Sequence, residues 1–92
     1  MISLETKSGF KVDVDERALS DWRFTQALVK SQKGTDIEKL EGANDIANLL
    51  LGADNVAALY EHIEKTNDGF VPAEVFMSEI SEIILSAKQT KN

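Results

Sequence analysis

The residues in this chain that most resemble a chemical site lie in Glu64–Phe76, which reads EKTNDGFVPAEVF. An acidic run, Asp-Gly, an apolar residue and then Glu is the outline of a calcium loop. Such a loop has twelve positions, with Gly at the sixth, oxygen ligands at the first, third and fifth, and a bidentate Glu at the twelfth. With Gly69 at six, Glu64 falls at one, Thr66 at three and Asp68 at five. The twelfth position is then Val75, and Glu74 sits one residue early. The ligand that contributes most to holding a hard cation is missing. The same residues make a good corner between helices. Asn67 and Gly69 can take left-handed backbone, Val71-Pro72 can start a helix, and Glu74 suits its first turn. Phe70 and Val71 are apolar residues in that turn, either tucked into the core or offered to a partner.

Other chemistry is sparse. His62 is the only histidine and lies beside the apolar stripe of its helix, so a solvated or rim position is expected. No Ser–His–Asp set can be assembled with any specificity. Carboxylates do recur at helical spacing: Glu38, Glu41 and Asp45, then Glu79 and Glu82. A glycosidase-like acid and base would need such a pair, but a short helical chain has little room for a cleft that buries a sugar. A solvated face is the simpler reading. Gly34, Gly42 and Gly52 are isolated and form no phosphate loop. No catalytic residue, metal ligand or cofactor is expected.

The totals bound the class of protein. A chain of 92 residues is one domain with a modest core. With 42% hydrophobic and 28% charged residues, it has the composition of a folded protein. A net charge of −6 gives no footprint for nucleic acid and disfavours anionic membrane surfaces. No cysteine is present, which excludes disulfides and thiolate chemistry. No signal peptide or membrane span is visible, so a cytoplasmic protein is expected.

The elements that must position any site begin with a hairpin. Ile2–Thr6 and Phe10–Val14 both alternate apolar and polar residues, and Lys7-Ser8-Gly9 joins them. A three-residue loop ending in a left-handed Gly pairs Thr6 with Phe10, Leu4 with Val12 and Ile2 with Val14, which puts every apolar side chain on one face. A lone hairpin is marginal in water, so that face must pack on helices. Its open edges suggest self-association through Ile2, Leu4 and Val12.

Helices follow. Asp15 or Ser20 can cap the first, which runs to about Ser31. Leu19, Trp22, Phe24, Ala27, Leu28 and Val29 cover most of its circumference, so it is expected at the centre. Thr35 and Glu38 form a capping box for the second helix, which Gly42 is expected to bend or break. Gly52 ends it, and Asp54 caps a third with Val56, Leu59, Tyr60 and Ile63 on one face. Pro72 suits the first position of the last helix, whose stripe is Phe76, Ile80, Ile83, Ile84 and Ala87. The expected fold is mainly α with an α+β start: a hairpin over 2–14, four to five short helices over 15–88, and a basic tail over 89–92. Candidate partner-binding residues are Trp22, Phe24, Leu50, Phe70, Val71 and Phe76. Trp22 and Phe24 are two apart and cannot share one helix face, so one is expected in the core and the other is left open between core and partner.

Taken in order, several segments resemble a known family: Asp21-Trp22-Arg23-Phe24, Asn48-Leu49-Leu50-Leu51-Gly52, Leu59-Tyr60-Glu61-His62-Ile63 and Asn67-Asp68-Gly69-Phe70-Val71-Pro72, followed by an amphipathic helix and a basic tail. The order is similar to that of tail assembly chaperones of long-tailed phages and prophages of Gram-positive bacteria, over about Val12 to Lys88. The resemblance implies a helical, self-associating, non-enzymatic chaperone. Such a protein coats the apolar helical tape measure protein, keeps it soluble, and helps recruit tail tube protein. A longer form made by frameshifting is common in the family, and Thr90-Lys91-Asn92 can be encoded by the slippery run ACA AAA AAC. The alternative, from the negative charge and the carboxylate-bearing helix faces, is a small acidic inhibitor that mimics DNA on a DNA-binding protein.

Overall fold

The computed structural model describes residues 1–90; Lys91 and Asn92, the end of the expected basic tail, lie outside them. Two strands, β1 (Ile2–Glu5) and β2 (Lys11–Val14), pair antiparallel with Ile2 opposite Val14 and Leu4 opposite Val12, the register expected from turn length and pattern. Gly9 is left-handed, the Gly9 amide donates to the Thr6 carbonyl at 2.9 Å, and the Thr6 amide donates to the Phe10 carbonyl at 2.9 Å. A 3-10 turn (Glu16–Ser20) leads to four helices: α1 (Trp22–Lys33), α2 (Asp36–Leu51), α3 (Ala53–Thr66) and α4 (Ala73–Thr90). The mainly α architecture with an N-terminal hairpin packed on the helices is as expected.

Phe10, Val12 and Val14 from β2 and its turn meet Leu50, Leu59, Ile63, Ile80 and Ile83 in one core. β1 lies against α4 and β2 against α2, so the first and last elements of the chain are neighbours. The stripe on α4 is as expected, with Ile80, Ile83 and Ala87 buried and Phe76 and Ile84 half-buried.

The helix starts use a local device. Asp15 accepts from the Arg17 amide at 3.0 Å, and Asp21 accepts from the Arg23 amide at 2.8 Å. Each arginine side chain then folds back onto the same aspartate. An Asp-x-Arg triplet thus starts the 3-10 turn and again starts α1. Asp21, not Ser20, caps α1, because only Asp21 has the extended backbone that directs a side-chain oxygen at the first turn. The expected capping box of Thr35 and Glu38 is present in full. Asp54 does not cap α3: Gly52 holds that position with φ of 82°, and Asp54 lies in the first turn. Pro72 stands one place before its expected position, at the cap, where its carbonyl accepts from the Phe76 amide at 3.0 Å.

Two expectations about the middle helices are overturned. α1 is not central. Phe24 and Ala27 are its only buried residues, because α1 packs chiefly on α2 and its far side meets water. α2 is the central helix, touching α1, α3, β2 and the 3-10 turn. Gly42 does not break α2, which is continuous from Asp36 to Leu51. Instead it is where α1 crosses. A Cβ there would stand 2.6 Å from the Ser31 amide nitrogen and 2.7 Å from the Ala27 carbonyl oxygen. Both are backbone atoms of α1, so a methyl group requires the helix to move.

Gly42→Ala is therefore expected to destabilise. In an open helix the change stabilises by roughly 0.5–1 kcal/mol. Here overpacking should reverse the sign and cost about 1–3 kcal/mol, read as a lower midpoint in urea denaturation. A second expectation concerns acid. Ion-paired hydrogen bonds from the Arg17 side chain, then its amide, hold Asp15 down to about 2, and Arg23 does the same for Asp21. A carboxyl lowered on folding contributes stability above its unfolded value, near 3.9, and loses it as pH falls through the folded value. Helix content at the chain start should thus be constant above about pH 5 and decline between about pH 4 and 2. Carboxyl-carbon NMR titration of Asp21 checks this, and a midpoint near 4 would contradict the capping geometry.

Candidate functional site

Two features of the folded chain are candidates: an apolar groove at the α3–α4 corner and a polar cluster under the hairpin turn. The corner forms because α3 stops sharply. Asp68 and Gly69 are left-handed, with φ of 57° and 82°, and the Gly69 amide donates back to the Glu64 carbonyl at 3.0 Å. This is the six-to-one bond of a Schellman stop. Asn67, expected to be left-handed, has φ of −132°, and its side-chain amide donates to the Ile63 carbonyl at 2.8 Å. Thr66 also donates to the Ile63 carbonyl. Of the side chains at the calcium-ligand positions, Thr66 thus bonds to the end of α3, while Asp68 serves the stop through its left-handed backbone. Among the described residues, no three His, Cys, Asp or Glu side chains stand close enough to hold a metal ion.

Beside this corner lies a groove of about 480 Å³ lined by Tyr60, Glu64, Val71, Ala73 and Phe76. The Tyr60 and Phe76 rings stand 5.4 Å apart and form its aromatic wall. Phe70 projects from the turn with 72% of its surface exposed. The only ionisable group in the lining other than the Tyr60 phenol is the Glu64 carboxyl, so the groove is apolar with an acidic rim. Of the candidate partner-binding residues, the fold brings Phe70, Val71 and Phe76 together here. Tyr60, assigned to the core face by its spacing, joins them and is 39% exposed. Trp22 is elsewhere, 71% exposed on α1 above Thr25, Gln26 and Val29. Phe24 and Leu50 are 2% and 3% exposed and belong to the core, which leaves them no surface for a partner in this fold. Ile2 and Leu4 are half-buried and Val12 is buried. Hydrogen-bonded pairs alternate along the ladder from Thr6–Phe10, so Leu4 bonds with Val12 and Ile2 with Val14. The outward-facing groups at the edges belong instead to Ser3 and Glu5 on β1, and to Lys11 and Asp13 on β2.

The polar cluster was not foreseen. Glu79, read as part of a solvated face, is only 6% exposed. It accepts from the Thr6 hydroxyl at 2.8 Å and the Ser8 hydroxyl at 3.0 Å. Glu82 accepts from the Lys7 amide at 2.6 Å. His62 is a rim residue as expected, but it has partners: its Nε2 is 3.0 Å from the Ser8 hydroxyl, and its ring stands 5.5 Å from Phe10. Ser8 has one hydroxyl proton, and it goes to the acceptor-only carboxylate. His62 Nε2 must then donate to Ser8. A serine nucleophile would need the reverse order, with its proton directed at the imidazole. The arrangement fastens the turn: side chains of α3 and α4 hold three successive residues of the hairpin loop. The sequence signal was faint, a Thr-x-Ser in a turn and Glu79 one place from the buried stripe.

Replacing Glu79 by Ala removes the acceptor shared by the Thr6 and Ser8 hydroxyls and should cost about 1–3 kcal/mol. Amide exchange should speed up at Thr6, Gly9 and Phe10 more than in α2. Glu82→Gln, at a more open site, should change both readouts less. Equal effects from the two substitutions would show that Glu79 is not the anchor. No family model matches the chain, and neither a curated protein nor a solved structure does.

Proposed function

We propose that this chain is a non-enzymatic tail assembly chaperone of the long-tailed phage type, which binds apolar helical segments of a tape measure protein and keeps them soluble during assembly. The observation that carries the reading is the groove beside the α3–α4 corner. Helical ligands dock by laying an apolar face into a groove between helices. Tyr60, Val71 and Phe76 supply such a groove, with Phe70 standing beside it. Large apolar side chains left in water are costly unless something covers them, and aromatic residues dominate binding energy where they gather. The acidic rim and the overall charge of −6 keep the loaded complex dispersed. The resemblance of the segment order to tail assembly chaperones suggests the identity of the ligand, with tail tube protein as the second partner it implies. Among the described residues, no helix is long and apolar enough to cross a membrane.

The test is co-expression with the tape measure protein encoded in the same locus. The soluble fraction of that protein should rise several-fold with the wild-type chain. Phe70→Asp, at an exposed position that leaves the core intact, should abolish most of the gain. A tape measure protein that stays equally insoluble with and without this chain would overturn the reading.

A further inference from the structure

We infer that the outer edge of β2 is a homodimer interface, at which two copies join their hairpins into one four-stranded antiparallel sheet about a two-fold axis through Val12. The inference rests on the hairpin geometry and is independent of the groove at the α3–α4 corner. The β2 edge is open: the phase of the ladder turns the amides and carbonyls of Lys11 and Asp13 away from β1, and among the described residues no turn, loop or side-chain hydrogen bond uses them. Both side chains are exposed, and a cleft of about 560 Å³ borders them, floored by Leu50, Leu51 and Gly52. An exposed edge of this kind is a template for another strand.

Three constraints select the occupant and the register. The first is the pleat. Directly opposed residues in an antiparallel pair point to the same face, so Val12 must face an apolar residue and Lys11 a polar one. The second is hydrogen-bond phase. Lys11 and Asp13 direct their backbone groups outward, so they must form the bonded pairs across the new seam. The third is charge. A two-fold centred on Lys11 would oppose lysine to lysine, and one centred on Asp13 would oppose aspartate to aspartate. Like charges directly opposite are destabilising. A two-fold centred on Val12 sets Lys11 of each copy opposite Asp13 of the other, and each such pair exchanges two backbone hydrogen bonds. The β1 edge lacks this self-complementarity: a two-fold centred on Leu4 sets Ser3 opposite Glu5. A second copy is therefore the occupant the β2 edge fits, and a two-fold contact closes without growing into a fibre.

Charge reversal tests this by sedimentation velocity over a concentration series up to about 1 mM, since a short-strand interface is of the weak class. The wild-type chain should show a concentration-dependent dimer. Lys11→Asp and Asp13→Lys should each be monomeric alone, because each sets like charges across both pairs. Mixed in equal amounts, they should form a heterodimer, because every cross-strand pair is then Asp opposite Lys. Recovery in the mixture also proves that both variants fold. A wild-type chain that stays monomeric throughout, single variants that dimerise like wild type, or a mixture that stays monomeric would each overturn the inference.

Discussion

A sheet of two four-residue strands cannot hold itself together in water. Its apolar face has to be covered, and the rest of the molecule is arranged to cover it. β2 rests on α2 and β1 on α4, so the beginning of the chain is held by its middle and its end. The hydrophobic contact is non-directional and would tolerate some sliding. The hydrogen bonds from Thr6 and Ser8 to Glu79, 73 and 71 residues away in sequence, do not. They fix the turn at one place on α4. A buried carboxylate is tolerated there because hydroxyl donors compensate its lost hydration.

The second organising contact is the crossing of α1 over α2 at Gly42. Two helix backbones approach this closely only where a side chain is absent. The crossing commits α1 to α2 and leaves its opposite face exposed. That accounts for Trp22 and Val29 lying in water on a helix whose composition alone suggests a central position. It also accounts for the continuity of α2, since Gly42 acts through what it admits alongside rather than through its own backbone.

These two contacts leave the remaining surface in distinct parts. The α3–α4 corner, held by a left-handed stop, carries the aromatic groove and Phe70. The β2 edge carries alternating charge on an unpaired backbone. The first suits an apolar helix and the second suits a strand. Because the two are separate, a dimer joined at β2 would keep a groove on each copy. Two grooves on one particle would raise the effective affinity for a helical partner able to reach both.

Local rules determined much of this from sequence. The hairpin register follows from a three-residue loop and period-two alternation; the capping box at Thr35 and the stripe on α4 follow from spacing. The Asp-x-Arg starts are local as well, because an arginine two residues after a cap reaches back to its aspartate. All of these depend on residues a few positions apart, where backbone geometry alone decides who meets whom. What only the tertiary structure decided is which of several apolar residues stay dry. Phe24 and Leu50 went to the core while Trp22 and Phe70 went to water, although all four are apolar and suited to either place. The roles of Gly42, Glu79 and Tyr60 were hidden for the same reason. Each is set by an element that packs against it from elsewhere in the chain, and no local pattern encodes that neighbour.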